Sequence, residues 1–143
     1  LFLFTKAILS EKPIKVFNNG KMSRDFTYID DIIEGIIRLL NKPAIANDSF
    51  DFNSPTASSS WCPYKIYNIG NSSPVNLIEF IEAIENELGV KAKKEFLPMQ
   101  PGDVSATYAN TLALEKEIGF KPRTPVTEGV ANFVNWYRQF YKV

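Results

Sequence analysis

Histidine is absent from the 143 residues, and the chain has a single cysteine, Cys62. The first absence removes Ser-His-Asp and Cys-His catalysis, the usual zinc sites and proton transfer by imidazole near neutral pH. The second excludes an internal disulfide and any cysteine-based zinc cluster, and it fits a reducing compartment, with the cytoplasm as the default expectation. Net charge is also lacking, because sixteen Lys and Arg balance sixteen Asp and Glu. With no basic tract to follow a phosphate backbone, nucleic acid is not an expected partner. No apolar run approaches the ~20 residues of a membrane-spanning helix, and Leu1-Phe2-Leu3-Phe4 has neither a basic flank nor a cleavage site, so no membrane partner is expected. There is no Gly-x-Gly-x-x-Gly and no Gly-Lys-Ser/Thr loop, so these residues cannot hold a dinucleotide or a triphosphate in the usual way.

What is present is 45% apolar residues over about one domain's length, enough material for a core. The chain opens without Met on an apolar stretch and reads as a piece of something longer. Residues 1–10 carry apolar side chains at helical spacing and stop before Pro13. Ile14-Lys15-Val16-Phe17 alternates as a short strand, and Asn18-Asn19-Gly20 is a turn that sends Lys21 to Arg24 back as a small hairpin or strand-turn unit. Ile29, Ile32, Ile33, Ile36, Ile37 and Leu40 recur at helical spacing, so a second helix is expected there. Residues 44–63 break every period and predict a long polar, mobile loop. Lys65 to Gly70 reads as a strand, and Ser73 with Pro74 as a helix start whose apolar face runs from Val75 to Leu88, before Gly89. Lys91 to Leu97 suggests another strand. Two more helices follow, one from an Asn110 cap to Gly119, the other from Thr124-Pro125 through Val130, Val134 and Tyr137. The sum is an α/β unit of three or four short strands among four or five helices, with no linker dividing it.

Few residues suggest chemistry. Asp30 and Asp31 point about 100° apart on a helix, and their place at its N-terminus explains them as caps rather than as a paired acid and base. Asp103, after Pro101-Gly102, is either a turn former or a carboxylate in a ligand-binding loop. Cys62 has no Lys, Arg or His immediately beside it and gives no argument for a reactive thiolate. Arg24 follows a turn and precedes Asp25-Phe26-Thr27-Tyr28. Its fork suits phosphate oxygens, and the alternative is an ion pair with Asp25, Asp30 or Asp31.

The run from Lys15 through Arg24-Asp25-Phe26-Thr27-Tyr28 to Asp31 resembles the C-terminal part of extended short-chain dehydrogenase/reductases acting on nucleotide sugars. Tyr67-Asn68-Ile69-Gly70-Asn71 and Met99-Gln100-Pro101-Gly102-Asp103-Val104 look like that family's next two landmarks, in the same order. Within the family the resemblance is to the UDP-glucuronate 4-epimerases, which share Leu97-Pro98 and the run after it almost verbatim. It covers nearly the whole chain except residues 44–63.

The resemblance implies that residues 1–143 form the substrate-binding part of such an enzyme, with the Rossmann half absent. In that family the hairpin bearing Lys15, Val16 and Phe17 borders the uridine, with Phe17 against the base. Arg24 reaches the diphosphate, and the loop from Gln100 to Asp103 closes over the same nucleotide. Both roles are sound physically, since an aromatic face suits a nucleobase and a guanidinium suits a pyrophosphate. Many relatives, UDP-glucose 4-epimerases among them, have arginine where this chain has Gln100, a departure that favours the uronate branch.

The implied reaction interconverts UDP-glucuronate and UDP-galacturonate. A tyrosine of a Tyr-x-x-x-Lys segment takes the C4 hydroxyl proton while NAD takes the hydride. No such segment occurs here, and Tyr137 followed by Tyr141 is no substitute. NAD is therefore expected on the absent N-terminal half and not on this fragment, which is expected to be inactive alone. The implied partners are the UDP-sugar, the chain's own N-terminal Rossmann domain and further copies in a homo-oligomer. Apolar surface at Leu1, Phe2 and Phe4 and along the strand ending at Gly70 is expected to be left open, favouring self-association. The alternatives are the same half of a UDP-glucuronate decarboxylase or nucleotide-sugar dehydratase, and a non-catalytic α/β binding or assembly module.

Overall fold

The computed structural model describes residues 1–143. Helix α1 (Phe2–Leu9) ends before Pro13, and strand β1 (Ile14–Val16) follows with a buried, exposed, buried alternation. Asn18, Asn19 and Gly20 then adopt positive φ in succession, a conformation asparagine and glycine tolerate best. This turn carries the chain onward instead of back, so of the two expected forms the strand-turn unit is present and the hairpin is not. Strand β2 (Ser23–Arg24) pairs antiparallel with β3 (Val75–Asn76), in the register Ser23↔Asn76 and Arg24↔Val75. Strand β1 lies parallel to β4 (Lys94–Phe96). A parallel pair needs a long crossover, and here it contains α2 (Ile29–Leu40) and α3 (Leu77–Leu88). Helices α4 (Leu112–Ile118) and α5 (Val126–Tyr141) complete an α/β arrangement of five helices and four short strands.

The core forms where α3 lies between α1 and α5. Ile8, Ile14, Val16, Phe80, Ile81, Ile84, Leu88, Val130 and Val134 make one cluster there. Glu85 sits in the same helix with its side chain only 1% exposed. It accepts hydrogen bonds from Ala92 N–H at 2.9 Å, from Lys91 at 3.0 Å and from Lys94, tying the end of α3 to the approach to β4. Burial alone would raise its pKa, but these donors outweigh burial and hold it at about 2 against an ordinary 4.5.

Three expectations are corrected. Lys65 to Gly70 forms no strand ladder and makes only an isolated bridge, Ser59↔Lys65. Its β-forming residues have no strand beside them in this chain, and a lone extended segment is not a sheet. The helix expected from Ser73-Pro74 begins at Leu77, where Asn76 caps Ile78 N–H at 3.0 Å, because Val75 and Asn76 are taken up in pairing with β2. The strand expected over Lys91–Leu97 is confined to Lys94–Phe96.

Helix α2 forms as its spacing predicts, but its apolar face is left open. Ile29, Ile33, Ile36, Ile37 and Leu40 are all exposed, and Gly35 is its one buried residue. Where a Cβ would stand on Gly35, Ile69 of the unpaired extended segment lies 3.7 Å away. The unpaired extended segment therefore packs on the buried side of α2, away from the exposed isoleucines. In α1 Leu3 is 77% exposed, whereas Phe2 is partly covered by edge contacts with Phe133, Tyr137 and Tyr141. No helix is long and apolar enough to cross a membrane.

Candidate functional site

The stretch from Leu97 to Thr107 is stapled at two places to the segment from Val16 to Arg24. At the first, Leu97 N–H donates to Val16 O and Leu97 O accepts Asn19 N–H, both at 3.0 Å. At the second, Ser105 O accepts Ser23 N–H at 2.9 Å and Ser23 O accepts Thr107 N–H at 3.2 Å. Between the staples the chain turns at Gly102, with φ +82°, and Asp103 N–H donates to Gln100 O at 3.2 Å. This geometry brings Asp103 to Arg24. Its Oδ1 accepts from Arg24 Nη2 at 2.8 Å and from Val104 N–H at 2.8 Å, while Arg24 Nη1 donates to Ser23 O at 2.9 Å. The two side chains are 26% and 30% exposed, so the pair is anchored below and reachable from solvent. Such a held, accessible guanidinium can exchange a carboxylate for a phosphate oxygen.

Two carboxylates after Arg24 act on backbone, not on cations. Asp25 accepts Ser72 N–H and Ala109 N–H at 3.1 Å each and Ser73 N–H at 3.3 Å. Asp31 accepts Arg123 N–H at 3.1 Å and Thr124 N–H at 2.9 Å, so it tethers the entry to α5 rather than capping its own helix. Phe26 stacks on Phe80, ring centroids 4.2 Å apart. The ring of Tyr28 lies 3.1 Å from where a Cβ on Gly129 would stand. The segment bearing Arg24 is therefore pinned to α3, α5 and two loops.

Of the expected site residues, Arg24 and Asp103 meet directly, and the ion pair foreseen with Asp25, Asp30 or Asp31 is made with Asp103 instead. Phe17 is half-buried at the start of the turn, beside the first staple. Lys15 is exposed on β1 opposite Glu95. Val16 has its side chain fully in the core, and what it offers the site is its carbonyl. Gln100 is exposed and engages through its backbone. Sequence reasoning missed Asp25 as a hub.

The family model described as GDP-mannose 4,6 dehydratase matches residues 3–133. The chain belongs to this family. It is 54% identical over 99% of its length to Protein CapI of Staphylococcus aureus, of which it covers 42%. It is 43% identical over 99% of its length to a probable UDP-glucuronate 4-epimerase of Rhizobium meliloti, again covering 42% of that protein. Among solved structures it resembles the UDP-glucuronic acid 4-epimerase from Bacillus cereus in complex with UDP-glucuronic acid and NAD, with a TM-score of 0.75 and 25% identity over 96% of this chain and 39% of that one. The chain thus spans about two-fifths of the length of the relatives it matches. Its fold is that of the C-terminal portion of extended short-chain dehydrogenase/reductases, as the resemblance implied.

In this GDP-mannose 4,6 dehydratase family member, α3 starts on a cap from its own chain, Asn76 accepting Ile78 N–H at 3.0 Å. The junction of β3 with α3 is the one place where a strand runs directly into an α-helix, and there Asn76 already takes the Ile78 N–H that a pyrophosphate could use. Burial pushes the Tyr67 hydroxyl up, with Glu117 accepting its hydrogen bond at 2.8 Å, which is the wrong direction for proton abstraction near neutrality.

Proposed function

We propose that this chain holds the nucleotide of a UDP-sugar for an NAD-dependent 4-epimerase acting on UDP-glucuronate and UDP-galacturonate. The observation that carries the reading is the Arg24–Asp103 pair. A guanidinium fixed at its root by Ser23 O, beside a loop that can move with Asp103, suits a diphosphate. Phe17 at the first staple offers a ring to the base, and Gln100 lies on the covering loop. The relatives named above support the uronate as substrate and NAD as the hydride carrier. The carrier and the Tyr-x-x-x-Lys machinery would belong to a Rossmann part, docked on the open face of α2 and the unpaired segment ending at Gly70. Residues 44–63 would move independently of this site, since several of their bonds are internal, such as Asn47 N–H to Ser60 O at 2.9 Å.

Titrating UDP and uridine separately into this chain, followed by NMR, tests the site. Arg24→Ala should weaken UDP by roughly 1.5 to 3 kcal/mol, the range for a hydrogen bond to a charged group, and leave uridine unchanged. UDP affinity unaltered by Arg24→Ala removes the arginine from the site. The reaction is tested by incubating the full-length protein with UDP-glucuronate and NAD. UDP-galacturonate is the product expected, while loss of carbon dioxide or of water would assign it to decarboxylation or dehydration. The 143 residues alone should turn over nothing, and saturable NAD binding by them would contradict this.

A further inference from the structure

We infer that Asp25 is a positioning residue: its carboxylate bolts both flanks of the two-residue strand that presents Arg24. The inference rests on the reading of Arg24 as the diphosphate contact. On one flank, the β2–β3 ladder pairs Ser23 with Asn76 and Arg24 with Val75. Asp25 turns its backbone to the other flank as Ser23 does, so the next hydrogen-bonding rung would pair Phe26 with Ser73, and no such bond forms. The Asp25 side chain takes over there, accepting Ser72 N–H at 3.1 Å and Ser73 N–H at 3.3 Å. On the other flank, Ser23 is bonded to Ser105 and Thr107. There Asp25 N–H donates to Thr107 Oγ1 at 3.3 Å and its Oδ2 accepts Ala109 N–H at 3.1 Å.

One carboxylate thus joins three segments that meet nowhere in sequence, with Arg24 adjacent to it. The close approach is built in. A Cβ added at Gly70 would stand 2.5 Å from Ala109 Cβ and 3.1 Å from Asp25 Oδ2. Ser72 holds a positive φ of 55° while its N–H donates to Asp25 and its hydroxyl bonds Ala109 O at 2.9 Å. No lysine or arginine bonds Asp25. Its charge is spent on backbone donors, which need an acceptor with two free oxygens. Asparagine keeps the shape but turns an NH2 towards one of those donors.

The test compares Asp25→Asn, Thr107→Val and Arg24→Ala in this chain by NMR, reading the Arg24 Nε–H signal and the binding of UDP and uridine. The indole signal of Trp136, on α5, reports whether the fold survives. In Asp25→Asn the Arg24 signal should lose its rigid-site relaxation, and UDP affinity should fall about tenfold with uridine unchanged, the size of one charge-assisted hydrogen bond. Thr107→Val, which removes a single bond to the hub, should shift both readouts in the same direction by less, and it carries the test if Asp25→Asn does not fold. An Arg24 signal as rigid in these variants as in the parent overturns the inference. If Arg24→Ala weakens UDP and the hub variants do not, the positioning role fails and the site stands. If Arg24→Ala leaves UDP unaffected, the site itself falls, and the role of Asp25 in it falls as well.

Discussion

Glu85 and Arg24 show how differently a charged side chain is used inside and outside the core. Arg24 is left one exchangeable partner and access to solvent, whereas Glu85 is saturated by three donors at a side-chain exposure of 1%. The consequence for Glu85 is a pH-dependent stability with a definite sign. Its carboxyl is held at about 2 in the folded chain against an ordinary 4.5, so the stabilisation is complete above about 4.5 and fades as pH falls towards 2. Glu85→Gln should cost about 2 to 3 kcal/mol at pH 7, allowing for the exposed position of Lys91. More than half of that difference should vanish by pH 3. Urea melts of both proteins at the two pH values measure it, and a difference that does not narrow would mean that the carboxylate charge is not what holds α3 to β4.

Among the elements, α2 has a regular amphipathic pattern and an unusual fate. Its isoleucines recur at the spacing of a buried face, yet Ile37 is 50% exposed and Leu40 75%. Helix α5 has an equally regular face, and Val130 and Val134 in it are buried against α3. Charging the two faces should therefore give opposite results in this chain. Ile37→Lys should change stability by less than about 0.5 kcal/mol, as at ordinary surface positions. Val134→Lys should cost more than about 3 kcal/mol, because it buries an unpaired ammonium. Denaturant midpoints decide this, and a large loss in Ile37→Lys would show that α2 packs on something within the chain after all.

The whole molecule carries more surface than its mass calls for. A compact monomer of 16.2 kDa is expected to expose about 7,500 Å², and this chain exposes 9435 Å². The surplus includes α2, the extended segment before Gly70 and Leu3 of α1, and it agrees with a chain that spans 42% of its relatives' length. Alone in solution, such a surface should be covered by other copies. Light scattering should show concentration-dependent association, and Ile37→Lys should reduce it. A monodisperse monomer at high concentration in the parent chain would contradict this.

Local rules determined a good deal of this protein. Glycine at 89 and 119 ends α3 and α4 in the left-handed conformation that side chains disfavour, and the periods of α2 and α5 follow from 3.6 residues per turn. Arg24, Phe17 and the loop around Asp103 were legible as motif residues, since their types and order lie on the surface of the sequence. Only the tertiary structure decided what pairs with what. It placed Asp103 beside Arg24 from 79 residues away and gave Ser23–Arg24 to Val75–Asn76 instead of to β1. It also left Lys65 to Gly70 without a ladder. The reason is that a helix satisfies its backbone from within, so its sequence suffices to announce it. A strand and an ion pair take half of their bonding from a distant segment, and the sequence of one half does not say where the other half lies.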